Sequence, residues 1–154
     1  MTSGTHNKPP EESANGEHCS VVLFDGLCNL CNGAVRFIIA RDRKERFRFA
    51  SLQSTIGRRF LAEHRLGDSK LNTLVLLEGR RAWTRSTAAL RIARRLSGPW
   101  PLLYALVFLP RLLRDPLYAL LAHNRYRWFG RLATCWLPSP ELRKRFLDQE
   151  DPAP

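Results

Sequence analysis

Two cysteines separated by two residues, Cys28 and Cys31, are the groups in this chain best suited to chemistry. They follow an apolar run, Val21-Val22-Leu23-Phe24, and an Asp-Gly pair, Asp25-Gly26. Thiols at that spacing can cycle between a dithiol and a disulfide, and can exchange disulfides through thiolate attack on a substrate sulfur. The attack needs a thiolate. If Cys28 stands at the cap or first turn of a helix, unpaired backbone N–H groups and the positive end of the helix dipole favour its ionised form. Cys28 is then the attacking sulfur, and Cys31, one turn deeper and shielded, resolves the mixed disulfide. Asp25 is either a turn carboxylate or a buried acid of raised pKa that passes a proton to and from Cys31.

Such a pair works only if regular elements hold it, and the apolar pattern supplies them. Val21 to Phe24 show no alternation, as expected of a strand covered on both faces, and Asp25-Gly26 is a turn signal. Ala34, Val35, Phe37, Ile38 and Ile39 change to a helical stripe. Residues three apart share one side of a helix, so Cys28 and Cys31 can meet there. After a charged connection over 42–46, Phe47-Arg48-Phe49-Ala50 alternates like a second strand. Strand, helix and strand open a βαβ unit, whose crossover is expected to be right-handed and whose chemistry collects at the carboxyl ends of the strands. That places Ser51 and Gln53 on the rim that carries Asp25 and Cys28. Arg36, within two turns of the thiols, either supports them or faces solvent.

Further along, Ile56 to Arg65 reads as a short helix and Leu74 to Leu77 as a third strand. Glu78-Gly79-Arg80-Arg81 turns into a brief fourth strand around Ala82-Trp83, which makes the sheet mixed. Ser86 is expected to cap a helix through Leu96. Pro99 to Leu109 is almost wholly apolar, yet only about half the ~20 residues a membrane-spanning helix needs. It is either a core helix or an interfacial one, in which Arg111, Arg114, Arg125 and Arg127 with Trp100, Tyr104, Tyr118 and Trp128 would suit an anionic surface. Asp115-Pro116 is expected to start a helix through His123, and Ser139-Pro140-Glu141 a last one through Phe146 or Leu147. Cys135 could be a small buried hydrophobe, a third redox thiol or a metal ligand.

With 154 residues and 44% apolar side chains, the chain can bury a sizeable core. The expected division is a disordered tail over 1–19, an α/β core over 20–97, a helical C-terminal extension over 98–147 and a second tail over 148–154. The first 19 residues show no apolar segment of a secretory signal, and four cysteines are too few for a disulfide scaffold. A cytoplasmic protein, able to reach the inner face of the membrane, is the resulting expectation. The formal charge of +11 could suit nucleic acid, an acidic partner or anionic lipid. No recognition-helix, finger or aromatic-basic strand pattern accompanies it, which disfavours nucleic acid. His18, Cys19, Cys28 and Cys31 lack the second close ligand pair usual in structural zinc sites, so neither metal nor cofactor is expected.

Three separated blocks agree with one family in order and spacing. They are Phe24-Asp25-Gly26-Leu27-Cys28-Asn29-Leu30-Cys31-Asn32-Gly33, the stretch Phe47 to Ser54, and Asn124-Arg125-Tyr126-Arg127-Trp128-Phe129-Gly130. In these the chain resembles the DCC family of predicted thiol-disulfide oxidoreductases over about residues 20–147. The resemblance implies a thioredoxin-like fold and a protein-disulfide reductase or exchange activity on a protein or low-molecular-weight thiol. It carries over Asp25, Cys28 and Cys31 as the naming residues, with Cys135 matching a cysteine of the C-terminal block. Some relatives are associated with membrane proteins, which keeps a peripheral membrane setting open. Well-studied thioredoxin-like enzymes place a cis-proline before the strand that faces the redox pair. Here that stretch is Lys70-Leu71-Asn72-Thr73-Leu74, without proline. A cis bond there would cost about 2.5–4 kcal/mol, so a trans backbone is expected, with Asn72 or Thr73 offering hydrogen bonds to the sulfurs or a bound peptide. The rival reading is a non-enzymatic module whose basic, aromatic C-terminal half docks on a membrane protein or anionic surface.

Overall fold

In a computed structural model that describes residues 19–67, 74–131 and 139–147, the apolar run before the cysteines is an inner strand of a four-stranded sheet. The strands are β1 (Ser20–Phe24), β2 (Phe47–Ser51), β3 (Val75–Glu78) and β4 (Arg81–Thr84), in the order β2-β1-β3-β4. All of β1 is buried, which is why its sequence shows no alternation. β2 runs parallel to β1, with Ser20 opposite Phe47 and Phe24 opposite Ser51. β3 pairs antiparallel with β1, and β4 antiparallel with β3. Three helices follow the strands: α1 (Asn29–Arg41), α2 (Thr55–Glu63) and α3 (Arg85–Arg94). The result is the expected α/β fold, a small mixed sheet flanked by helices with a helical C-terminal extension, built as βαβ and then ββα.

Side chains alternate across a strand, so β1 serves two cores. Val22 and Phe24 join Val35, Ile38, Phe47, Phe49, Ile92 and Phe146 on the face covered by α1 and α3. Val21 and Leu23 join Ala50, Leu52, Leu61, Val75 and Leu77 on the face covered by α2. α2 starts under Ser54, whose hydroxyl accepts the Gly57 N–H at 3.0 Å. Gly57 is required there for space, because an added Cβ would run into the backbone carbonyl of Ser51.

The charged connection after α1 contains a buried group. Asp42 accepts the N–H groups of Arg46 and Phe47, at 3.1 and 3.0 Å, and pairs with Arg145 from the far end of the chain. Arg145 also donates to the Phe47 carbonyl at 3.2 Å.

Four expectations are corrected. Ser86 is not a cap: α3 begins at Arg85 after Thr84, and the Ser86 hydroxyl donates to Asp115 Oδ1 at 2.5 Å. Asp115, drawn to α3 in this way, does not start a helix either, and Pro116 lies inside one long helix, α4 (Arg111–Phe129). The Pro99–Leu109 stretch is not a core helix but a 3-10 helix over Trp100–Phe108 in which no residue is fully buried. Pro101 stands in its first turn, where a missing N–H breaks no helical bond, and Pro110 follows its end. Its anchor is Trp100, whose ring meets Phe37 edge-on at 4.6 Å with Arg41 stacked over Phe37. The last helix, α5 (Pro140–Arg143), is a single turn, and Phe146 instead bridges to Phe49 beside β2. Among the described residues no helix is long and apolar enough to cross a membrane.

Candidate active site

Cys28 is the N-cap of α1, as the sequence predicts. Its Sγ accepts the Cys31 N–H at 3.4 Å, in the position a capping serine oxygen would take. The turn that delivers it is closed by the Cys28 N–H donating to the Asp25 carbonyl at 3.2 Å and by Leu27 N–H donating to Asp25 Oδ1 at 3.0 Å. Asn32, buried one turn into α1, donates from Nδ2 to the Gly26 carbonyl at 2.9 Å. Both thiols are free.

Their exposure is the reverse of the expectation. Cys28 is 0% exposed, whereas Cys31 is partly open. The cover comes from the end of α4. Arg131 forms an antiparallel bridge with Cys28, Asn29 N–H donates to the Gly130 carbonyl at 3.4 Å, and Asn29 Nδ2 donates to the Phe129 carbonyl at 2.9 Å. Gly130, at φ +86°, makes the turn; a Cβ there would sit 3.0 Å from Asn29 Nδ2.

Asp25 is buried at the carboxyl end of β1 and is fully engaged. Gln53 Nε2 donates to Oδ1 at 2.8 Å, and the same amide's oxygen accepts the Gly26 N–H at 3.1 Å and the Ser51 hydroxyl at 2.6 Å. Arg125 pairs with Oδ2 at 3.0 Å, and the Tyr126 hydroxyl donates to the same oxygen. Burial alone would raise the Asp25 pKa, but the hydrogen bonds from Tyr126, Leu27, Gln53 and Arg125 outweigh it and hold the carboxyl below the ordinary range. Of the two readings of Asp25, the acid of raised pKa is corrected: the carboxyl is held as an anion. Tyr126 is shifted the other way, held protonated by burial and by its bond to Asp25.

Cys31 is pushed up to about 12, first by burial and then by the charge and hydrogen bonding of Cys28, with Arg125 acting in the opposite direction. Cys31 thus keeps its proton at neutral pH, and the Arg125 guanidinium is the cation that eases its loss.

Of the residues singled out in the sequence, Asp25, Cys28, Cys31, Ser51 and Gln53 converge on one rim. Arg36 is exposed on α1. Asn72, Thr73 and Cys135 lie outside the described residues. Arg125 and Tyr126 were not foreseen as site residues. Arg125 and Arg114 are buried rather than turned toward a surface, which corrects their place in an interfacial set. The density of guanidinium and aromatic groups over 124–131 was the available signal.

A protein of Bacillus subtilis, the uncharacterized protein YuxK, is 46% identical over 127 residues, covering 82% of this chain and 93% of its own. A DCC family protein of Arabidopsis thaliana, described as chloroplastic, is 41% identical over 118 residues, covering 76% of this chain and 69% of its own. No solved structure matches. The family of DCC1-like thiol-disulfide oxidoreductases matches residues 22–131, which run from β1 to the residue bridged with Cys28. On that match, which takes in both thiols, Asp25 and the Arg125-Tyr126 pair, the chain belongs to the DCC1-like thiol-disulfide oxidoreductase family.

Proposed function

We propose that the chain is an enzyme that reduces or exchanges disulfides of a protein or low-molecular-weight thiol substrate, with Cys28 attacking and Cys31 resolving. The observation that carries this reading is the Cys28 sulfur at the N-cap of α1, accepting the Cys31 N–H. The Cys28 thiolate attacks one sulfur of the substrate disulfide, forming a mixed disulfide and releasing the other sulfur as a thiolate. Forming the mixed disulfide removes the Cys28 charge, the second cause of the raised Cys31 pKa. The departing thiolate then takes the Cys31 proton, assisted by the Arg125 charge. Cys31 attacks Cys28, the second substrate thiol leaves, and two electrons have passed from the pair to the substrate. An external thiol reductant restores the dithiol.

Asp25 moves no proton in this scheme. It holds Arg125 and Tyr126 in place beside the sulfurs, and Ser51 and Gln53 hold Asp25. Cys28 becomes reachable when the Gly130–Arg131 segment leaves it, which breaks the bonds from Asn29 to the Gly130 and Phe129 carbonyls. The small number of cysteines supports a cytoplasmic setting, where such a pair cycles rather than stays bridged.

A Cys31→Ser chain should accumulate a mixed disulfide on Cys28, while a Cys28→Ser chain should not. Titration in redox buffers should show Cys28 and Cys31 oxidising together as a two-electron couple. Trapping by the Cys28→Ser chain instead would reverse the roles, and a pair that never oxidises would end the enzymatic reading.

A further inference from the structure

Helix α4 is amphipathic the wrong way round for a helix of a water-soluble monomer. Its inward side carries Arg114, which donates to the Leu109 carbonyl at 2.9 Å, and Arg125, paired with Asp25, while the Tyr118 hydroxyl accepts the Leu74 N–H at 3.1 Å. Its outward side carries Leu113, Leu117, Leu120, Leu121 and Trp128, spaced to lie along one stripe, with Leu117 71% exposed. The preceding 3-10 helix adds Leu102, Leu106 and Phe108, the last 87% exposed. Among the described residues, every large apolar side chain that stands in solvent falls between Leu102 and Phe129. Monomeric proteins rarely leave so much contiguous sequence of this kind uncovered.

The charges around the stripe select its occupant. Residues 98–131 contain five arginines, Arg111, Arg114, Arg125, Arg127 and Arg131, against one acid, Asp115. The acid is bonded to Ser86, and two of the arginines are buried, which leaves Arg111, Arg127 and Arg131 exposed. Arg127 follows Leu120 by two helical turns and so borders the stripe. A second copy would bring like charges together at the rim. A bilayer with anionic headgroups offers the complement, with Trp128 suited to the boundary between headgroup and chain.

We infer that the outward face of α4, with the 3-10 helix before it, lies on an anionic lipid surface, its leucines among the acyl chains and Arg127 and Arg131 among the headgroups. The helix lies on the bilayer and does not cross it. The stripe ends at Phe129, whose carbonyl holds Asn29 beside Cys28. Taken with the dithiol activity proposed above, this sets the thiol pair at the edge of the membrane-bound face and makes a disulfide exposed at the bilayer surface its accessible substrate.

The test is cosedimentation of the full chain with vesicles of phosphatidylcholine alone or mixed with phosphatidylglycerol, together with tryptophan emission. Binding should require phosphatidylglycerol, fall with added salt and shift the emission to shorter wavelength. Arg127→Gln should weaken it about fivefold, the share expected of one arginine near a charged surface. The double variant Leu117→Gln, Leu120→Gln should abolish binding while keeping the dithiol as reactive as in the unaltered chain, which also shows that it is folded. Cys28→Ser, Cys31→Ser should bind as the unaltered chain does, so loss of redox activity leaves the lipid result standing. No dependence on phosphatidylglycerol, or equal binding by the leucine variant, would overturn the inference. So would a dimer in sedimentation equilibrium that the leucine variant splits.

Discussion

Two buried Asp–Arg pairs close this chain on itself, one at each end of the parallel β1–β2 ribbon. Asp42 and Arg145 meet beside Phe47, where β2 begins, and Asp25 and Arg125 meet where β1 ends. Each joins residues about a hundred apart. What differs is the company of the carboxylates, since each arginine also donates to a backbone carbonyl, Arg145 to Phe47 and Arg125 to Ala122. Asp42 accepts two backbone N–H groups. That pair is invested in chain path. Asp25 accepts one backbone N–H, and its other partners are the side chains of Gln53, Arg125 and Tyr126, with Arg125 acting on the Cys31 thiol. The same ion pair fastens the fold at one end and tunes thiols at the other.

The sharpest way to break this contrast is to remove each arginine in turn. Arg145→Ala and Arg125→Ala should each lose about 3–5 kcal/mol in urea unfolding, because a buried carboxylate is left without its cation. Only Arg125→Ala should slow resolution, so that the mixed disulfide on Cys28 persists longer per folded molecule. Equal effects on exchange would erase the distinction. Tyr126→Phe deletes one hydrogen bond to a charged group and should cost about 1.5–3 kcal/mol in the same measurement, with slower exchange as Arg125 loses a neighbour.

Acid distinguishes Asp25 further. Its folded pKa lies below its unfolded one, so its contribution to stability is complete above the unfolded value of about 3.9 and lost as pH falls through the folded one. Asp25→Asn should flatten the acid limb of a stability–pH profile relative to the unaltered chain. An unchanged limb would mean that Asp25 is not held as a stabilised anion. The smallest effect belongs to Ser51→Ala, about 0.5–1.5 kcal/mol, through loss of the bonds its hydroxyl makes to the Gln53 amide oxygen and backbone N–H. A shift in the redox potential of the pair should accompany it.

The parts of this arrangement that rest on local pattern were legible in the sequence. An unalternating run gave β1, the change of period gave α1, and the parallel-strand rule put Ser51 and Gln53 beside Asp25. Arg125 and Tyr126 were not legible as its partners, because no periodicity relates groups a hundred residues apart. Ser86 and Asp115 misled for a related reason. Each has the chemistry of a helix cap, and each spends it on the other across α3 and α4. The order of exposure at the cysteines also lay beyond local reading, since the cover over Cys28 comes from Gly130 and Arg131.

Gly57 ties the far side of the sheet to this chemistry. The missing side chain lets α2 nest against the Ser51 carbonyl, and Ser51 steadies the glutamine that steadies the carboxylate. One methyl group added at position 57 would act as a wedge under that row, tilting its members in sequence. A lesion on the face opposite α1 would thus reach the sulfurs as a change in reactivity.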